Sequence, residues 1–209
     1  MRVYQNYAKA QAQGEQRSYK PLPPGGYVLK ILRCEEMPTK SGRTMLRFAF
    51  DIAEGEHQGF FANEYKNDTR PDKKWSNGGY FYLVEPEHTN VPADDPTLRR
   101  MKGVFKAIED SNKGFVFNMD ERTLNNKLVG GLFRREAYVG RDGNEHWGTK
   151  CMTFCSADRI RSGDFTVPAD KPVDGGSAPT QTVAPTQAVR SDGFIPVDNS
   201  ISADPDLPF

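Results

Sequence analysis

A chain of 209 residues has room for one ordinary domain with appendages. It contains no run of about 18 apolar residues, and its start, Met1-Arg2-Val3-Tyr4-Gln5-Asn6, lacks the apolar stretch of a signal peptide, so membrane insertion and export are not expected and the cytoplasm is the expected compartment. Formal charge is zero, yet residues 168–209 hold Asp170, Asp174, Asp192, Asp198, Asp204 and Asp206 against Lys171 and Arg190, a net of −4 that leaves the body at +4; a basic body with an acidic tail suits a phosphate ligand and a protein partner.

Residues 1–22 read as an N-terminal arm, polar and without helical or strand period, closed by the proline and glycine run Pro21-Leu22-Pro23-Pro24-Gly25-Gly26. A folded domain over 23–165 follows. Its first strand is expected over Tyr27 to Cys34. The second, Thr44 to Ile52, places Leu46, Phe48, Phe50 and Ile52 on one face, with Met45, Arg47, Ala49 and Asp51 on the other. Between them Pro38 to Arg43 forms a turn that carries Lys40 and Arg43. A third strand is expected around Gly59 to Tyr65.

Residues 66–94 read as a long insert, at first polar and then aromatic: Lys66, Arg70, Lys73, Lys74 and Trp75 lead into Tyr80 and Tyr82. Cations neutralise phosphates and flat rings stack on bases, so this interleaving suits an unpaired nucleic-acid strand. Trp75 is the best single stacking candidate by sequence. Asp95-Pro96 then signals a helix start, and Leu98, Met101, Phe105 and Ile108 recur on one helical face as core packing, with Asn112-Lys113-Gly114 as the stop. A weakly helical stretch near Glu121 to Lys127 precedes a fourth strand over Leu128 to Val139. The pair Gly130-Gly131 suggests a bulge or sharp coil there. Gly140 to Asn144 is a hairpin turn containing Arg141, and His146 to Phe154 the fifth strand.

Residues 166–209 are dominated by Pro, Ala, Thr, Gln, Ser and Gly and cannot bury a core, so a disordered linker and acidic tip are expected. The fold class is therefore mainly β with one principal helix. Three strands, a helix and a two-stranded hairpin is the element order of the OB-fold, a five-stranded barrel that binds oligonucleotides across strands two and three and through the loops joining strands one to two and four to five. Lys40, Arg43, Arg47, Lys66 to Trp75, and Arg141 fall at those places, with Arg134 and Tyr138 on the fourth strand.

The chain ends Asp204-Pro205-Asp206-Leu207-Pro208-Phe209. This tip resembles that of bacterial single-stranded-DNA-binding proteins, where acidic residues precede an apolar residue, Pro and a final Phe, and the chain as a whole resembles the members of that kind encoded by phages and mobile elements. The resemblance implies a protein of the bacterial host cytoplasm with no enzymatic activity. Its body would hold single-stranded DNA with little sequence preference. Its tip, through Asp204, Asp206, Leu207, Pro208 and Phe209, would recruit replication, recombination and repair proteins. Tetramers are usual in that family, so a homo-oligomer is among the implied states; the insert over 66–94 is a departure from the housekeeping members.

No cofactor or metal is expected. His57, His88 and His146 are far apart, and Cys34, Cys151 and Cys155 form no CxxC pair and read as reduced thiols. Two other functions fit parts of the chain. Asp51, Glu64 and Lys66 imitate the spacing of a metal-dependent nuclease, and an adaptor would use the barrel only as a scaffold for the tail.

Overall fold

The computed structural model describes residues 5, 21–140 and 142–173. Five antiparallel strands and three helices follow the order β1 (Gly25–Pro38), β2 (Thr44–Ile52), α1 (Phe60–Asn67), β3 (Tyr80–Val84), α2 (Pro96–Ser111), β4 (Leu128–Val139), β5 (Glu145–Cys155) and α3 (Ala157–Ser162). They form one sheet in the order β3-β2-β1-β4-β5. The inner face of β2 is as expected, with Leu46, Phe48, Phe50 and Ile52 all at most 3% exposed, but of the other face only Arg47 and Ala49 are partly exposed, and Met45 and Asp51 are buried as well. With Leu29, Ile31, Phe81, Leu83, Val129, Phe133 and Phe154 the inner-face residues make a single core.

Strand β1 serves two neighbours. Its first residues pair with β4, from Gly25 opposite Phe133 to Lys30 opposite Leu128, and from Leu29 onward it pairs with β2. A register shift between Ile31 and Arg33 leaves Leu32 as the extra residue, and such a bulge bends the strand. On β4 the glycine pair marks close approach: a Cβ on Gly130 would lie 2.7 Å from the Ile160 side chain of α3, and one on Gly131 would lie 2.5 Å from Leu29. The bulge in this hairpin falls one step further, between Leu132 and Phe133.

The sheet is not a closed barrel, which corrects the expected closure. Strands β3 and β5 are its two edges and share no ladder. They nevertheless face each other. The Phe81 and Phe154 rings stand 4.4 Å apart, and the tight turn Asn77–Gly79 packs so close to β5 that a Cβ on Gly78 would lie 3.0 Å from the Thr149 carbonyl oxygen. Side chains and a turn fill the seam where hydrogen bonds would close it. Helix α2 packs beside the seam and buries Val104, Phe105, Ala107 and Ile108; Asp95 caps it, accepting from the Leu98 amide at 2.9 Å behind Pro96.

Two expected elements are corrected. Gly59 to Tyr65 is not a strand but the entry and body of α1, and the third strand is Tyr80–Val84, inside what reads as an insert. The cause is Asp51. Gly59 turns the chain with φ 73°, and the buried Asp51 carboxylate accepts from the amides of Ile52 (2.9 Å), Phe61 (3.0 Å) and Ala62 (3.2 Å), tying the helix start to β2. Phe61 then drops onto Phe50, ring centroids 5.8 Å apart. Helix α3 is a further element that the sequence reading lacks, and the described residues continue past Phe165 to Val173. Among the described residues no helix is long and apolar enough to cross a membrane.

Because Asp51 satisfies three backbone donors, Asp51→Ala should lower the unfolding free energy by about 2 kcal/mol and Asp51→Asn by less. Urea denaturation followed by circular dichroism measures this; an unchanged midpoint for Asp51→Ala would refute the role.

Candidate nucleic-acid interface

The alternation that buries Phe48 and Phe50 turns Arg47 and Ala49 outward. Strand β3 does the same, burying Phe81 and Leu83 and presenting Tyr80 and Tyr82. Register brings the two sets together, with Arg47 opposite Tyr82 and Ala49 opposite Tyr80. The Tyr80 and Tyr82 rings lie 6.1 Å apart at 37°, and the Arg47 guanidinium carbon is 5.1 Å from the Tyr80 ring centroid. Ala49 adds no bulk across from Tyr80. Two half-exposed rings and an arginine thus share one open sheet face.

On β1, Glu35 is opposite Arg47. The Arg47 Nε donates to Glu35 Oε1 at 3.0 Å, and Arg33, with a side chain 71% exposed, reaches Oε2 at 2.9 Å. The Arg47 hydrogen bond, with the charges of both arginines, holds the Glu35 carboxyl below its ordinary range and pushes Arg47 up. One carboxylate thus sits between two guanidiniums. Burial dominates at Tyr82 and raises its phenol.

The loop that follows α1 is tethered to the start of β3. Trp75 Nε1 donates to the Gly79 carbonyl at 3.2 Å, and its ring lies 6.5 Å from Phe61 and 6.0 Å from Tyr65. Gly79 is required there, since a Cβ would lie 2.3 Å from the indole nitrogen. Trp75 is therefore half-buried against the core, its N–H already used, rather than a free stacking surface. Lys73 Nζ stands 4.6 Å above the Tyr65 ring, and Arg70 grips Asp68 at 2.7 Å, drawing that carboxyl down to about 2. Lys66 and Lys74 are exposed and make no ion pair among the described residues.

The loop joining β1 to β2 is a tight turn. Thr39 bonds the Arg43 backbone on both sides, its amide donating to the Arg43 carbonyl at 2.7 Å and its Oγ1 accepting from the Arg43 amide at 2.9 Å; Lys40 is exposed at the tip. At the far hairpin Tyr138, 51% exposed, stacks on His146 at 5.6 Å, and Asp142 lies 3.0 Å from His146 Nε2. Bonds from Asn144 first, then His146, bring the Asp142 carboxyl to about 2. Arg134 pairs with Glu136 at 2.7 Å, and Lys150 reaches the same carboxylate at 3.3 Å. Arg141 and the tip residues Asp204, Asp206, Leu207, Pro208 and Phe209 lie outside the described residues.

Sequence reasoning missed Glu35, Arg135 and Trp147. The Arg135 guanidinium carbon is 5.5 Å from the Trp147 ring centroid, and Trp147 is opposite Ala137 on the hairpin. A tryptophan within three residues of the Asn144 turn was the available signal.

Metal-dependent hydrolysis finds no matching geometry. Asp51 is occupied by the α1 start, and Glu64 and Lys66, two positions apart on a helix, diverge by about 200° around its axis. Among the described residues no group of three or more His, Cys, Asp or Glu is placed to hold a metal ion. All three cysteines are buried, which raises Cys34 to about 12 and pushes the thiols of Cys151 and Cys155 upward.

Compared with known proteins, residues 5–77 match the model of a family described as a protein of unknown function (DUF669). The match runs from the arm through β1, β2 and α1 to the turn before β3. No curated protein matches the chain.

Since Trp75 packs on Phe61 and Tyr65, Trp75→Ala should destabilise the fold by about 2 kcal/mol, while Tyr82→Ala on the open face should change stability by less than about 1 kcal/mol. Chemical denaturation of both variants decides it, and equal losses would contradict the assignment of inward and outward rings.

Proposed function

We propose that this chain binds single-stranded DNA, with little sequence preference, across the outer face of β2 and β3. The observation that carries the reading is the placement of Arg47 between Tyr80 and Tyr82 on an open sheet face. Rings stack on any base, and stacking needs bases that are not paired. Guanidinium supplies the phosphate contact, with Arg33 beside it on the same Glu35 carboxylate. No atom is transferred in this activity; binding is ion exchange plus stacking.

The fold supports the same reading. Strand order, the helix between the third and fourth strands, and two edges that meet through Phe81 and Phe154 are compatible with the OB-fold element order, although no ladder closes the sheet. In that fold the face of strands two and three and the loops flanking it bind oligonucleotides. The acidic tip, by its resemblance to those of bacterial single-stranded-DNA-binding proteins, would recruit replication and recombination proteins while the body holds the strand.

The test is fluorescence anisotropy of a labelled oligo(dT) with variants of the face. Tyr82→Ala should weaken binding about tenfold at fixed salt with an unchanged salt slope, and Arg47→Ala should reduce the slope of log K against log salt by about 0.7. Both variants binding like the parent would show that this face is not the site.

A further inference from the structure

Beyond Phe133 the β1-side edge of β4 has no strand partner among the described residues, because the β1 ladder stops at Gly25 opposite Phe133. The chain's own later residues take that edge. The Lys171 amide donates to the Arg135 carbonyl at 2.9 Å and the Ala137 amide donates to the Lys171 carbonyl at 2.8 Å, a parallel bridge across Glu136. Beside it the Arg135 Nε donates to Asp170 Oδ2 at 2.9 Å, and Nη2 contacts the same oxygen. Both side chains are 19% exposed, which makes this among the more buried ion pairs of the described residues.

What Arg135 would otherwise do is set by its neighbours. Its guanidinium lies over the half-exposed Trp147, at the wall of a cleft of about 290 Å³ that prolines 21, 23 and 24 and Thr149 complete. A cation over an aromatic ring is the chemistry of a nucleotide contact, and here an internal carboxylate neutralises the cation. We propose that residues 170 and 171 form a clasp that withholds Arg135 from single-stranded DNA, and that opening the clasp adds one phosphate contact beside Trp147. The inference rests on the DNA-binding reading above and assigns it a regulator within the chain. A partly buried arginine that loses its carboxylate is left with an uncompensated charge, so phosphate is its natural replacement partner. The clasp also fixes the point on the hairpin arm from which residues 174–209 continue.

Asp170→Asn keeps the shape and removes the charge. It should tighten oligo(dT) binding about three- to tenfold at low salt and steepen the salt slope by about 0.7, and Arg135→Ala added to it should abolish both gains. Arg135→Ala alone should change affinity less than twofold, since the closed clasp holds the group away from the strand. In the unaltered protein, saturation with oligo(dT) should speed amide exchange at Lys171 and Ala137, a readout that needs no variant to fold. Parent-like affinity and slope for Asp170→Asn, a gain that survives Arg135→Ala, or slower exchange at Lys171 on binding would each overturn the clasp. Failure of the unaltered protein and every variant to bind oligo(dT) would instead overturn the DNA reading, and the clasp with it.

Discussion

The contact between Phe81 and Phe154 is the constraint on which the rest of the structure depends. A five-stranded sheet has two edges, and in this chain the edges are curled toward each other until one ring from each meets at 4.4 Å. That contact puts the inner faces of all five strands around one core, so alternation turns Arg47 and Ala49 of β2 and Tyr80 and Tyr82 of β3 outward, while Met45 and Asp51 at the ends of β2 are buried beneath neighbouring chain. Arg47, Tyr80 and Tyr82 share a face for this reason. The seam has no ladder, and Gly78 against Thr149 shows how tightly turn and strand must fit to fill it without one. Buried rings from β2, β3, β4 and β5 meet across the interior, with Phe48, Phe50, Phe133 and Phe154 in edge-on contacts that favour one arrangement over many.

Electrostatics on the outer surface follow a second pattern. Three of the arginines marked by sequence are held by carboxylates, Arg47 by Glu35, Arg70 by Asp68 and Arg134 by Glu136, as Arg135 is by Asp170. Lys40, Lys66 and Lys74 make no such pair among the described residues. The guanidinium fork matches a carboxylate in two directions, which a lysine ammonium does not. It matches phosphate equally well. A polyanion that approaches this surface therefore exchanges one oxyanion for another, and the stacking rings supply the part of the free energy that exchange leaves small.

How much of this was legible depended on how local the cause was. Strand β2, the Asp95-Pro96 helix start and the Gly140 to Asn144 turn rest on neighbouring residues and could be read directly. Helix α1 could not be, because its start is capped by Asp51 from the previous strand, ten residues earlier. The spacing of Phe61 and Tyr65 carried a helical hint, and the alternation over Tyr80–Val84 a strand hint, but adjacent Phe60 and Phe61 also fit an apolar strand. The site was legible in its residue types and less so in their directions. Tyr80 and Tyr82 face outward as the chemistry needs, whereas Trp75 folds in because Gly79 leaves room for its indole. Glu35 and Asp170 stayed hidden because their partners lie 12 and 35 residues away, and no composition or period reports such a pairing.

The central claim is that the outer face of β2 and β3 takes bases that are not paired. The most direct measurement is the affinity of the full chain for a labelled oligo(dT) beside a duplex of equal length, at two salt concentrations. The account predicts salt-sensitive binding to the single strand at least tenfold tighter than to the duplex. Equal affinity for the two, or none for the single strand at low salt, would contradict it.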